Sequence, residues 1–215
     1  MIELHNVDCM EFLRGQPDKA FDLAIVDPPY GIGYSKRRSK TKRSSIVYTP
    51  KDWDLTVPDD EYFDELFRVS SNQIIWGGNY FSLGPTRGFI TWDKCQPEGL
   101  DQAMCEFAWT SFHQSAKLIR TSIQQIQFTR IHPTQKPVAL YRWLLKNYAK
   151  PGQRILDTHL GSGSIAIACD IEGFDLVGCE LDLDYYNGAC KRLKEHQAQP
   201  RLFDAPTPQP VQLTL

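Results

Sequence analysis

The sequence predicts an α/β fold, a Rossmann-like, mostly parallel sheet with helices on both faces and an antiparallel ribbon at one edge. Three observations carry this expectation. Strand-length apolar runs alternate with helical periodicity at both ends of the chain, a glycine turn joins a strand to a helix in the last third, and three strand-like runs in the middle have no helix between them.

Residues 2–5 and 21–26 read as strands around a short helix from about residue 10 to 15, a β-α-β opening. Residues 29–58 keep no apolar period and are rich in Lys, Arg, Ser and Thr, so a long loop over about 31–57 is expected. Residues 59–69 place Tyr62, Phe63, Leu66 and Phe67 at helical spacing behind acidic residues that suit a helix N-terminus, and residues 73–76 follow as a buried strand. Residues 88–92, 105–110 and 117–120 are the three runs of the ribbon. Residues 137–149 form a helix with Pro137 in its first turn and Leu140, Trp143, Leu144 and Tyr148 on one face. A strand at 154–156, a helix through about 172, a strand at 176–179 and a helix at 183–196 complete a second β-α-β-α unit. The tail 197–215, with Pro200, Pro206, Pro208 and Pro210, is expected to be disordered, which leaves one domain over residues 1–196.

A chain of 215 residues that is 41% hydrophobic and 23% charged suits one globular domain. It has no run of about 18 apolar residues to span a bilayer and no secretion signal at its start, so a cytoplasmic, membrane-free protein is expected. Six cysteines are scattered without a C-x-x-C pair, which suggests neither a disulfide framework nor a metal cage. The net charge of −2 hides one dense basic cluster, Lys36, Arg37, Arg38, Lys40, Lys42 and Arg43.

Two segments carry chemistry. In Asp157-Thr158-His159-Leu160-Gly161-Ser162-Gly163-Ser164 a glycine turn lets the backbone approach a ligand at the carboxyl end of a strand. About 20 residues on, Glu180 ends the next strand, where an acidic side chain accepts bonds from ribose hydroxyls. Together they describe a nucleoside-binding crevice. A nicotinamide dinucleotide is the competing ligand; its third glycine falls at Ala166, a replacement that is sometimes accepted. Asp27-Pro28-Pro29-Tyr30 ends an apolar strand, and its two prolines stiffen the chain as it leaves the sheet. Taken alone, that tetrapeptide reads equally well as a strand-ending turn.

These residues resemble the amino-methyltransferases of DNA bases, whose catalytic motif is Asp/Asn/Ser-Pro-Pro-Tyr/Phe. The order is similar to the permuted, beta arrangement of that family, with the catalytic strand first, then a segment like His132-Pro133-Thr134-Gln135-Lys136-Pro137, then the cofactor loop. The resemblance covers roughly residues 2–192. It implies S-adenosyl-L-methionine as cofactor, with Asp157, Gly161, Ser162 and Gly163 around its methionine end and Glu180 at its ribose. Lys136 would stand at the far wall of the methionine pocket and Asp8 at the adenine. Thr158-His159 departs from the family's usual Pro-Phe, so the resemblance puts the His159 imidazole where an aromatic wall is common.

The implied chemistry explains the residue types. An exocyclic base amine is a poor nucleophile because its lone pair is delocalised into the ring. The Asp27 carboxylate and the Pro28 carbonyl are acceptors for its two N–H bonds, and Tyr30 would stack on a base flipped out of the duplex. A cytosine C5 transferase needs a thiol in a Pro-Cys pair, and no cysteine here follows a proline. Asp as first motif residue leans toward adenine N6. Cytosine N4, an RNA base, or an inactive cofactor- and DNA-binding subunit remain as alternatives.

The basic cluster follows the catalytic loop and is expected to meet DNA phosphates. The interval that would hold a target-recognition region, about 111–130, is short. Its polar residues Thr121, Ser122, Gln124, Gln125 and Gln127 read either as base-edge contacts or as a solvated loop. The family resemblance also implies a homodimer. In the tail, Gln199-Pro200-Arg201-Leu202-Phe203 resembles the Gln-x-x-Leu-Phe peptide that docks on the bacterial sliding clamp, or else packs against its own domain.

Overall fold

In a computed structural model that describes residues 1–33, 51–99, 103–126 and 130–199, the chain runs β1 (Ile2–His5), α1 (Cys9–Arg14), β2 (Phe21–Val26), α2 (Asp60–Val69), β3 (Ser70–Trp76), β4 (Ile90–Asp93), β5 (Cys105–Thr110), β6 (Lys117–Arg120), α3 (Val138–Tyr148), β7 (Arg154–Asp157), α4 (Ser164–Glu172), β8 (Asp175–Cys179) and α5 (Leu183–Gln197). The basic cluster at 36–43, Gln127 and the tail beyond Gln199 lie outside the described residues.

All eight strands join one sheet in the order β1-β8-β7-β2-β3-β5-β4-β6. The pairs β1·β8, β8·β7, β7·β2 and β2·β3 are parallel. The first β-α-β unit and the last one therefore meet at β2 and β7, and the direction of winding reverses between them. In open α/β sheets such a reversal leaves a crevice at the carboxyl ends of the two strands. Asp27 leaves the sheet at the end of β2, and the glycine turn leaves it at the end of β7.

The helices divide between the faces as the apolar periods require. On one face Leu13 of α1 and Tyr62, Phe63, Leu66 and Val69 of α2 pack on Ala24, Val26, Ile75, Leu156 and Val177. On the other, Leu140, Tyr141, Leu144 and Leu145 of α3 and Ile165 to Cys169 of α4 cover Leu23, Ile25, Ile74, Trp76 and Ile155. Helix starts are closed by acidic side chains: Asp8, Asp59 and Asp182 each accept backbone N–H bonds at the N-caps of α1, α2 and α5.

One expectation is corrected at the edge. β5 pairs antiparallel with both β3 and β4, but β6 pairs parallel with β4. The chain reverses after β4 and again after β5, so β6 runs in the direction of β4. It then lies on the far side of β4 and not beside β5. The ribbon is thus mixed, a three-strand edge with the strand that comes first in sequence in the middle. Thr121, read as a surface residue, is also corrected: it is buried, its N–H bonds the Asp93 carbonyl, and its carbonyl accepts from the Trp92 indole.

Leu66 is fully buried at the centre of the α1/α2 face. Leu66→Ala is expected to cost about 2–5 kcal/mol through lost transfer energy and a residual cavity. A urea titration should show a lower midpoint at unchanged slope; an unmoved midpoint would contradict this packing.

Candidate active site

Two cavities open at the carboxyl ends of β2 and β7. The larger, about 760 Å³, lies over β7 and β8 and is lined by Asp8, His159, Gly161, Ser162, Glu180 and Tyr185 among others. The smaller, about 360 Å³, lies over β2, β3 and β5 and is lined by Pro28, Tyr30, Tyr80, Lys94 and Glu106 among others. Asp27, Pro29, Trp53, Thr134, Gln135 and Lys136 line both, so they form the partition.

The wall of the larger cavity begins at the glycine turn. Gly161 and Gly163 have φ of +52° and +70°, the left-handed region that disfavours side chains. A Cβ at Gly163 would stand 2.8 Å from that of Ala189, so the turn also needs glycine for the approach of α5. Glu180 closes the opposite side: one carboxylate oxygen accepts from the Gly161 N–H at 2.7 Å and the other from the Asp182 N–H at 2.8 Å. Asp8 caps α1 through the Met10 and Glu11 N–H groups and faces the cavity from the end of β1.

Asp157 and Gly163 stand behind this lining. Asp157 is buried and accepts from the His159 N–H at 3.0 Å. Burial pushes its carboxyl up to about 8. The His159 ring meets the edge of Tyr62, and burial lowers its pKa to about 4, so it is a neutral imidazole. The departure from Pro-Phe thus keeps an uncharged ring in the wall.

The partition is a chain of charges. The buried Lys136 ammonium pairs with Asp27 Oδ2 and, at 3.1 Å, with Glu106 Oε2. Glu106 Oε1 pairs in turn with Lys94 at 2.6 Å, and the Tyr30 hydroxyl donates to Asp27 Oδ1 at 2.6 Å. Burial works against all of these charges, and the outcome differs by site. Asp27 is pushed above the usual carboxylate range by burial, against the pull of Lys136. Glu106 bears the same desolvation penalty, yet Lys136 and Lys94 together hold it below that range. The two carboxylates hold the Lys136 ammonium above its ordinary value despite burial. Burial thus makes Asp27 more basic than an ordinary aspartate, while its neighbour Glu106 is drawn the other way.

The catalytic-loop candidate is fixed from both sides. Asp54 Oδ1 accepts the Tyr30 N–H at 2.9 Å and the Gly31 N–H at 3.0 Å. The Tyr30 ring stacks on Tyr80, with centroids 4.9 Å apart at 12°. Gly77, at φ +72°, makes room for it, because a Cβ there would lie 2.1 Å from the ring. Residues 51–54 bridge the two cavities: Lys51 binds Asp182 and Asp184, and the Trp53 ring lies 5.1 Å from that of His132. The imidazole of His132 is held down to about 3 by burial and by Lys136, so this ring adds no charge to the wall.

Sequence reasoning singled out Pro28 and Tyr30, which line the smaller cavity, and Asp27 and Pro29, which line both. Asp8, His159, Gly161, Ser162 and Glu180 fall on the larger, and Lys136 between the two. It missed Asp54, Trp53, Lys94 and Glu106. The available signal for Glu106 was a charge in register with Ala108 and Thr110, the buried positions of β5.

The class of protein defined by the fold and the site is an open α/β sheet with two cavities at the carboxyl ends of neighbouring strands and a charged wall shared between them. The family follows from the sequence: residues 75–191 match the model of the N6_N4_Mtase family, described as DNA methylase, and the chain belongs to that family. Among curated relatives, the YubD protein of Escherichia coli (strain K12) is 24% identical over 210 residues, covering 86% of this chain and 87% of that one. Two solved structures share the fold. The M1.HpyAVI–SAM complex has a TM-score of 0.62 at 19% identity, covering 90% of this chain and 100% of that chain. The PvuII DNA methyltransferase, described as cytosine-N4-specific, has a TM-score of 0.59 at 11% identity, covering 91% and 90%.

Asp54→Ala removes the acceptor of two loop N–H groups and is expected to cost about 1–3 kcal/mol. Hydrogen exchange at Tyr30 and Gly31 should accelerate, whereas Asp54→Asn, which keeps an acceptor oxygen, should restore protection. Equal exchange in wild type and Asp54→Ala would contradict this anchoring.

Proposed function

We propose that this chain transfers a methyl group from S-adenosyl-L-methionine to the N6 of an adenine flipped out of DNA. The observation that carries the reading is the partition: Asp27, Pro29 and Lys136 face both cavities, so a ligand in each would meet across them. The donor set of the larger cavity fits the cofactor. Gly161 and Ser162 offer a backbone cradle, Glu180 an acceptor for ribose hydroxyls, and Asp8 an acceptor toward the adenine end. Asp157 and Gly163 support that cradle from behind.

When bound, S-adenosyl-L-methionine supplies an electrophilic methyl on a sulfonium that leaves as a neutral thioether. The protein's part is to prepare the amine. The Asp27 carboxylate and the Pro28 carbonyl accept its two N–H bonds, which draws the nitrogen toward a tetrahedral form and turns its lone pair toward the neighbouring cavity. As the C–N bond forms, the nitrogen gives up one proton, and the raised basicity of Asp27 suits it to receive that proton. Tyr30 and Tyr80 offer aromatic faces to the base. Pairing in a duplex must be broken first, which the narrow cavity requires of any base that enters.

Adenine is favoured because Asp stands first in the motif. A second reading, cytosine N4, is favoured by the fold shared with the cytosine-N4-specific PvuII enzyme. Incubation with labelled cofactor and unmethylated DNA, followed by nucleoside identification, separates them: label on N6-methyladenine is expected, and label on N4-methylcytosine would move the assignment. Asp27→Ala should lower transfer by at least about a hundredfold while cofactor binding persists. Full activity in that variant would end the mechanism.

Lys36, Arg37 and Arg38 are assigned to phosphate binding from their place after the catalytic loop. Replacing all three by Ala should weaken DNA binding and flatten its salt dependence, by about 0.9 in log–log slope for each phosphate that is no longer neutralised. Binding unchanged at low and high salt would remove this role.

A further inference from the structure

The family motifs account for Asp27 and Lys136 but leave Glu106 and Lys94 without a role, although Glu106 joins the two lysines of the partition. Its carboxylate lines the smaller cavity and bridges Lys136 at 3.1 Å and Lys94 at 2.6 Å. A surface carboxylate in that position would be a trivial ion pair. Here the Lys136 side chain is 2% exposed and Glu106 21%, and β5 holds Glu106 opposite Trp92 in the sheet register. The bridge is built by the sheet and not by a mobile side chain finding a partner.

We infer that Glu106 is a positioning residue for methyl transfer: it divides the Lys136 ammonium between two carboxylates, so that Asp27 keeps the acceptor strength needed to hold the amine N–H and take its proton. This rests on the methyltransferase reading above. The physical reason is a competition. With Asp27 as sole counter-ion, a buried ammonium would form a tight pair whose attraction at low dielectric lowers the carboxylate's basicity. A second carboxylate draws part of that interaction away and adds its own repulsion to Asp27. Lys94 sets how far the division goes, because it neutralises the outer oxygen of Glu106.

The charged and titratable groups that face Asp27 are Lys136 from the segment before α3, Tyr141 from α3, Tyr30 from its own loop, Glu106 from β5 and Asp157 from β7. The signs then follow. Asp27 is active as the carboxylate, so activity falls as pH drops through its pKa. Glu106→Gln removes a negative charge near Asp27 and leaves Lys136 leaning on it, so the acid limb of kcat moves to lower pH. Lys94→Met frees Glu106 to draw Lys136 away from Asp27, so the limb moves to higher pH.

The test uses the full chain with S-adenosyl-L-methionine and unmethylated DNA, both saturating. In Glu106→Gln, kcat on the plateau should fall by about tenfold or more, with cofactor dissociation constant within about twofold of wild type and the acid limb displaced downward. In Lys94→Met the limb should move the opposite way. Opposite displacements are not produced by loss of packing. Acid limbs that coincide with wild type in both variants, or a kcat loss matched by an equal loss of cofactor affinity, would overturn the role of Glu106 alone. A wild-type chain that binds the cofactor but methylates no base would overturn this role together with the function it rests on.

Discussion

One buried ammonium organises this protein. Lys136 lies where the two cavities meet, and its charge is tenable there because Asp27 and Glu106 stand on either side. Without both partners it would be an uncompensated charge in the interior, which is far more costly than breaking a surface pair. The three elements that supply these residues are thereby bound together. The end of β2 brings Asp27, β5 brings Glu106, and the turn before α3 brings Lys136. The mixed edge of the sheet is for this reason part of the site and not a decoration on a Rossmann-like core.

The rest of the architecture holds that junction still. The reversal of winding between β2 and β7 sets the catalytic-loop candidate and the glycine turn side by side. Helices α3 and α4 close one face and α1 and α2 the other, so neither strand can move without disturbing a packed layer. Residues 51–54 tie the two loops across the top: Asp54 holds the backbone after Pro29, and Lys51 grips the start of α5. A cavity for each ligand, with a shared charged wall, is what direct transfer between two bound molecules asks of a scaffold.

Much of this was legible because it is written in contiguous segments. Asp27 to Tyr30, Gly161 to Gly163 and Glu180 each sit at the end of an apolar strand, and backbone constraints of proline and glycine mark them locally. The alternation of strands and helices carried the fold class for the same reason. Glu106, Lys94 and Asp54 were not legible, because their meaning arises from pairing across the sheet. Glu106 reaches Lys136 through the antiparallel β3·β5 pair, a partner choice that periodicity does not encode. The parallel β4·β6 pair escaped for a related reason: successive reversals look alike in sequence whichever side of β4 the last strand takes. Thr121 read as polar and exposed, yet its backbone completes the sheet edge.

The central claim is that the two cavities take the two reactants across Asp27 and Lys136. A crystal structure of the chain with S-adenosylhomocysteine and a short DNA containing an unmethylated target tests it most directly. The account predicts the cofactor product in the larger cavity with its sulfur toward Asp27, and an extruded base in the smaller one with its amine on Asp27 and Pro28. A cofactor product bound elsewhere, or a base amine directed away from the Asp27 carboxylate, would contradict it.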